Sequence, residues 1–204
     1  MKHSITCQCE YVFSVEIPDI IDLDEEPTYI GSLMDGTFLA VPCPSCGAQL
    51  KPEFPISVRW RSHGFEVQVL PEFDRLSFYR DKQRPVDREV IIGYPELADR
   101  ITVIKEGLDP LAIEAIKYYL LVKAEESNPD AEISAWFQGK TNDFLEFHLH
   151  GMVADQVAVS RLPLSLYEKT LTESQRYPEK EPFASLRWGP YLSVENLQRP
   201  ENLQ

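Results

Sequence analysis

Four cysteines in two close pairs are the residues best suited to chemistry in this chain: Cys7 and Cys9 flank Gln8, and Cys43 and Cys46 flank Pro44-Ser45. Thiolates are soft donors that favour zinc or iron, and zinc takes four ligands at the corners of a tetrahedron. The two pairs supply a complete set, which predicts one four-thiolate site at Cys7, Cys9, Cys43 and Cys46 holding structural Zn(2+). Zinc ranks ahead of iron because nothing else in the sequence points to electron transfer. A filled tetrahedron leaves no open position for water or substrate, which argues against a catalytic metal. Two other readings stand beside this one: four unligated thiols, and a redox dithiol at Cys43 and Cys46. A redox C-x-x-C pair belongs at the start of a helix that lowers the thiol pKa, and Gly47-Ala48-Gln49-Leu50-Lys51-Pro52 is a poor helix start. Zinc ribbons commonly use two C-x₂-C knuckles; here the first pair is shorter and the stretch between the pairs is longer.

Glu146, His148 and His150 alternate and would project from one face of a strand, the arrangement of a site with two histidines and one carboxylate. Phe147 and Leu149 would then form the buried face, so the three polar residues also read as the wet side of an amphipathic strand. They are the first suspects for an alternative function, a hydrolase with its site in the α+β body. Familiar catalytic signatures are absent: there is no G-x-S-x-G, H-E-x-x-H, P-loop or dinucleotide fingerprint. The acidic run Asp22 to Glu26 lacks the spacing and glycine of a calcium loop and reads as a solvated connection. Arg59, Arg61 and His63 would share one face of a strand, and Trp188 and Tyr191 are aromatics near the end of the chain.

The positioning elements follow from pattern. Ile5 to Ile17 reads as a strand leaving the first thiolate pair, and Pro18 stops it. Pro27 opens a helix with Tyr29, Ile30, Leu33 and Met34 at helical spacing, and Gly36 ends it. Phe38 to Pro42 carries the chain extended into the second pair. Three runs, Phe65–Leu70, Arg75–Arg80 and Glu89–Tyr94, read as an antiparallel meander. A short helix at Pro95–Ile101 precedes the clearest helix, Leu108–Glu126, with Asp109 as N-cap and Pro110 at the first helical position. Strands at Ala131–Gln138, Phe144–His150 and Gln156–Arg161 follow, then a helix from Pro163 through Gln175. From Pro178 onward the chain reads as extended, with Phe183, Leu186, Trp188 and Tyr191 packed on the body. The expected organisation is a cysteine-rich zinc module over 1–58, an α+β body over 59–177 and an extended tail over 178–204. The fold class is thus α+β: a zinc-ribbon-like module, then a mostly antiparallel β-rich body with one long central helix and a shorter C-terminal helix.

Composition narrows the setting. The 204 residues are 43% hydrophobic, enough for a buried core. A formal net charge of −13, from 33 acidic and 20 basic residues, opposes long-range attraction to phosphate, so nucleic acid is not the expected partner. No run approaches the ~18 to 20 apolar residues that a membrane span needs. Met1 to Cys7 shows neither an apolar core nor a cleavage site of a secretory leader. A cytoplasmic location is expected, where paired cysteines serve metals more often than disulfides.

Cys43-Pro44-Ser45-Cys46-Gly47 after Thr37-Phe38-Leu39, with the downstream blocks Tyr94 to Ile101 and Glu106 to Glu114, resembles the CpXC domain proteins of bacteria. The resemblance covers roughly Ile5 to Tyr119. It implies a cysteine-bound metal module followed by an α+β body, and no activity. The closed metal site and the missing catalytic motifs leave a non-enzymatic function as the expectation: a zinc-binding protein acting as a protein-interaction module, its partner another protein.

Overall fold

A computed structural model describes residues 2–81, 88–153 and 155–197. The chain forms two compact units, Met1–Ala98 and Asp99–Gln204. Among the described residues the fold is α+β, with mostly antiparallel strand pairing and five α-helices.

The first unit starts with a hairpin of β1 (Lys2–Thr6) and β2 (Val12–Glu16), paired antiparallel. After β3 (Ile20–Asp22) comes α1 (Thr28–Met34), which follows Pro27 and ends before Gly36, at φ 68°. A second, smaller hairpin joins β4 (Val41–Pro42) to β5 (Gln49–Leu50). The remaining elements are β6 (Ile56–Trp60), β7 (Phe65–Leu70), α2 (Arg75–Arg80) and β8 (Glu89–Ile92). Within this unit the strands run in the order β8-β7-β6-β3, and Val58, Val67, Val69 and Ile92 are wholly buried.

Two expectations are corrected here. Arg75–Arg80 is a helix, and β7 and β8 are parallel, so the middle of the chain is not a simple meander. Parallel neighbours cannot be joined by a tight turn; the chain must cross back, and α2 lies on that crossover. Six residues are too few for periodicity to separate the two states, since Leu76 and Phe78 mimic strand alternation while the helix buries the adjacent Phe78 and Tyr79. Arg75 anchors the helix start by donating to Glu72, to Glu96 at 2.6 Å and to the carbonyl of Ile92 at 3.2 Å. Nearby, the Glu53 carboxylate accepts from the amides of Glu72 at 2.6 Å and Tyr94 at 2.9 Å.

From Tyr94 to Lys105 the chain forms α3, longer than expected. Next is α4 (Pro110–Ser127), where the Asp109 side chain accepts from the Ala112 amide at 2.9 Å as an N-cap, and Pro110 is the first helical residue. The antiparallel strands β9 (Ser134–Lys140), β10 (Phe144–Val153) and β11 (Gln156–Pro163) form a meander in the order β11-β10-β9, followed by α5 (Leu164–Arg176) and the hairpin of β12 (Arg187–Trp188) and β13 (Tyr191–Leu192). The inner face of the meander, Ala135, Phe137, Leu145, Phe147 and Leu149, shares one core with Ile113, Ile116 and Leu121 of α4. Phe183, Leu186, Leu192 and Val194 enter the same core, the first two as expected, while the segment that carries them forms turns, a hairpin and a 3₁₀ turn (Val194–Asn196) and is not simply extended. Residues 198–204 of the expected tail lie outside the described residues.

One polar network sits in this core. Lys117 of α4 donates to Asp99 and, at 2.8 Å, to Glu114. Asp99 also accepts from the Phe137 amide of β9 at 2.6 Å, and Glu114 from the Val194 amide at 2.8 Å. Three side chains thus tie α3, α4, β9 and the turn after β13 together, with both carboxylates satisfied on two sides. Burial opposes the Lys117 charge, but Asp99 and Glu114 outweigh it and raise the lysine pKa; burial raises that of Asp99 against the pull of Lys117. Replacing Lys117 by Met leaves two carboxylates buried without a counter-charge, an arrangement that costs about 3 to 5 kcal/mol. Without the ammonium, burial makes the folded state bind a proton on Asp99 more tightly than the unfolded chain does, so stability is regained as pH falls. Denaturant titration of parent and Lys117→Met should give a deficit that is largest at and above neutral pH and shrinks towards the ordinary carboxylate range near about pH 4.

Candidate metal centre

Each cysteine pair lies in the turn of its own hairpin. In the first, Cys7 follows β1; its carbonyl accepts from the Glu10 amide at 2.9 Å, and its amide donates to the Tyr11 carbonyl at 3.0 Å. In the second, Cys43 follows β4; its carbonyl accepts from the Gly47 amide at 2.9 Å, and its amide donates to the Ala48 carbonyl at 2.9 Å. The residue after the second cysteine is left-handed in both, Glu10 at φ 66° and Gly47 at φ 74°. The turns are therefore one design in two lengths. C-x-C closes one residue earlier than C-x-x-C, and the left-handed residue after the second sulfur is kept. The short first pair is thereby explained by loop length.

The two turns bring all four sulfurs within 4.8 Å of one another. Cys7 Sγ lies 3.6 Å from Cys46 Sγ, and Cys9 Sγ lies 3.7 Å from Cys43 Sγ. A disulfide would need about 2.05 Å, and all four cysteines are free. Four sulfurs at about 2.3 Å from a central ion stand about 3.8 Å apart along the edges of the tetrahedron. The donor set and its spacing therefore fit a metal ion. Cys7 and Cys43 are buried, whereas Cys9 and Cys46 face solvent.

The cluster also perturbs its own protonation. At Cys7 the amide of Cys9 favours the thiolate, but burial and the three neighbouring sulfurs outweigh it and push the pKa up to about 12. At Cys43 burial favours the thiol, yet the amides of Cys46 and Ser45 and contacts from the Cys7 and Cys46 sulfurs outweigh it and bring the pKa down to about 7. The two buried sulfurs are thus shifted in opposite directions, Cys7 by burial and its sulfur neighbours and Cys43 by the backbone amides of its own turn.

Glu146, His148 and His150 do lie on one face of β10, with Leu145, Phe147 and Leu149 buried on the other. Residues four apart on a strand are separated by about 13 Å, too far for Glu146 and His150 to share an ion. Glu146 instead accepts from Arg161 of β11 at 2.8 Å, the main cause of its lowered pKa, and approaches His148 at 3.7 Å. Among the described residues, the cysteine cluster is the group of His, Cys, Asp and Glu set at metal-holding distance.

Arg59, Arg61 and His63 do not share a strand face, because β6 ends at Trp60 and Arg61–His63 is a 3₁₀ turn. Arg59 pairs with Glu66 at 3.2 Å, Arg61 with Asp22 at 3.4 Å, and the His63 ring lies on Trp60 with centroids 3.7 Å apart. Asp24, from the acidic run, accepts from the Ser62 hydroxyl at 2.5 Å and amide at 3.1 Å. Of the late aromatics, Tyr191 is fully buried and Trp188 half-buried.

Compared with known proteins, the chain matches the model of the CpXC proteins over residues 5–117. The chain belongs to the CpXC family. The matched span contains all four cysteines and the buried residues Asp99, Glu114 and Lys117. An uncharacterized protein of Treponema pallidum (strain Nichols) is 30% identical over 219 residues, covering 95% of this chain and 97% of that protein. No solved structure matches the chain. None of its described helices is long and apolar enough to cross a membrane.

Two outcomes test this geometry. Glu10 occupies a backbone conformation that costs a side chain about 1 kcal/mol, so Glu10→Gly should raise the thermal midpoint of the first unit. The double variant His148→Ala/His150→Ala should keep the metal content of the parent, measured by elemental analysis.

Proposed function

We propose that this protein holds one structural zinc ion through Cys7, Cys9, Cys43 and Cys46, in a zinc-ribbon-like module that fixes a surface for binding another protein. The observation carrying the reading is the pair of sulfur separations, 3.6 and 3.7 Å, beside the tetrahedral edge of about 3.8 Å. Zinc, when bound, supplies a cross-link between the two hairpins. The chain supplies everything else: two turns aim the sulfurs inwards, and β1–β2 and β4–β5 hold those turns. Four protein sulfurs fill the coordination sphere, which suits a scaffold and not a reacting centre. The free thiols fit a reducing, cytoplasmic setting.

A partner surface is available on the same module. Tyr11 and Val12, directly beyond the first turn, are about half exposed, and Ile20 and Met34 of the same unit are similarly open. Apolar side chains of this size suit an aromatic and aliphatic protein contact more than an anionic polymer, and the net charge of −13 agrees. No observation at Glu146, His148 and His150 favours the hydrolase reading.

Protein purified without added metal should carry about one zinc per chain by elemental analysis and show no visible absorption from iron. Cys43→Ser should abolish stoichiometric zinc, and chelation should unfold the cysteine hairpins, because structural metal binding is coupled to folding. A metal-free, fully folded preparation would falsify the zinc assignment. Affinity capture from the native cell should recover a partner with the parent that is lost with Tyr11→Ser/Val12→Ser.

A further inference from the structure

The three-stranded meander of the second unit has one face in the core and one face open. Across the open face Trp136 of β9, His148 of β10 and Val159 of β11 stand in one row, each opposite the next. β11 is the last strand of this sheet, and over its eight residues Val157 and Val159 point outwards, 44% and 55% exposed. On the other side of the same strand Ala158 and Leu162 are only partly covered by the core.

Sheet edges of this kind are usually blunted by lysines, an internal proline or shortness. β11 has none of these: it carries Arg161 as its one charged residue, and Pro163 is its final position. The Arg161 charge is also engaged sideways, at 2.8 Å from Glu146 of β10.

We propose that β11 pairs antiparallel with β11 of a second copy of this chain, about a two-fold axis at Val159, joining two meanders into one six-stranded sheet. Self-pairing must match outward side chains with outward ones, which requires a register centred on a residue. Centred on Val159, that register sets Val159 against its counterpart, Val157 against Arg161, and Ala158 against Ser160. The row Trp136, His148 and Val159 of one copy then continues into Val159, His148 and Trp136 of the other. The two Arg161 residues fall four positions apart, about 13 Å along the strands, so no like charges face each other. The strand thus meets its own copy with outward side chains against outward ones and no like charges opposed, as a closed two-fold contact demands.

One strand per copy makes a small interface, so the dimer dissociates on dilution. The net charge of −13 on each copy opposes association through solvent, and added salt screens that repulsion and tightens the dimer.

Sedimentation of the full chain in reducing buffer, over a dilution series, tests the pairing. The parent should pass from dimer to monomer on dilution. Val159→Lys and Val159→Glu each place two like charges on the axis and should weaken dimerisation by about tenfold or more. An equimolar mixture of the two variants sets lysine against glutamate and should restore the dimer, which loss of folding in either variant could not do. The proposal fails if the parent is monomeric throughout, as it would be if the edge served a strand of another protein. It fails equally if both variants dimerise like the parent or if their mixture stays monomeric.

Discussion

Bringing Cys9 within 3.7 Å of Cys43, 34 positions away, is the constraint on which the first unit depends. The interval contains only short elements: β2, β3, α1 and β4 run from two to seven residues. Such pieces have little stability of their own, since helices and hairpins of this length are marginal without tertiary support. Ile17, Ile21, Leu23, Leu33 and Phe38 are buried along the way, so the segment has a core, but a thin one. Closing a loop of this length has an entropic cost that a cross-link between the two cysteine turns would offset. The chemistry of the turns and the economy of the fold therefore point to the same role for the sulfurs.

The second unit meets the same need by other means. Its core is one continuous cluster, and within it Lys117 is set between Asp99 and Glu114. Both carboxylates reach past the lysine to backbone amides on other elements, Phe137 and Val194, so the network fixes which strand and which turn pack against α4. A buried charge group is worth little as net stability but much as a registration device if each member is satisfied. The matched span of the CpXC family ends at Lys117, taking in the cysteine turns and all three members of this network.

Legibility in the sequence followed the length of the signal. α4 could be read because eighteen residues carry an N-cap, a proline at the first position and a broad apolar face. The three strands of the meander and α5 were visible for the same reason, since alternation or helical spacing persisted over seven to thirteen residues. α2 was not, because six residues fit either period and its helical state is decided by the parallel pairing of β7 with β8. Arg59, Arg61 and His63 were misplaced by the same weakness, as nothing local marks the end of β6 at Trp60. Glu114 and Lys117 look like ordinary surface charges three apart on a helix, and only burial by non-local elements reveals their purpose.

By itself the sequence determined the chemical character of the candidate site: four thiols in two close pairs, and no common catalytic motif beside them. It determined the long helix and the alternation that puts Phe147 inside and His148 outside, because these depend on neighbours within a few residues. Tertiary structure alone decided that the two pairs converge, since two cysteines 34 positions apart carry no local record of where they meet. It also decided that unequal spacings are equivalent, through hydrogen bonds that place Glu10 and Gly47 in the same left-handed position after the second sulfur. Backbone conformation at a turn depends on what the turn must reach, and that target lies elsewhere in the fold.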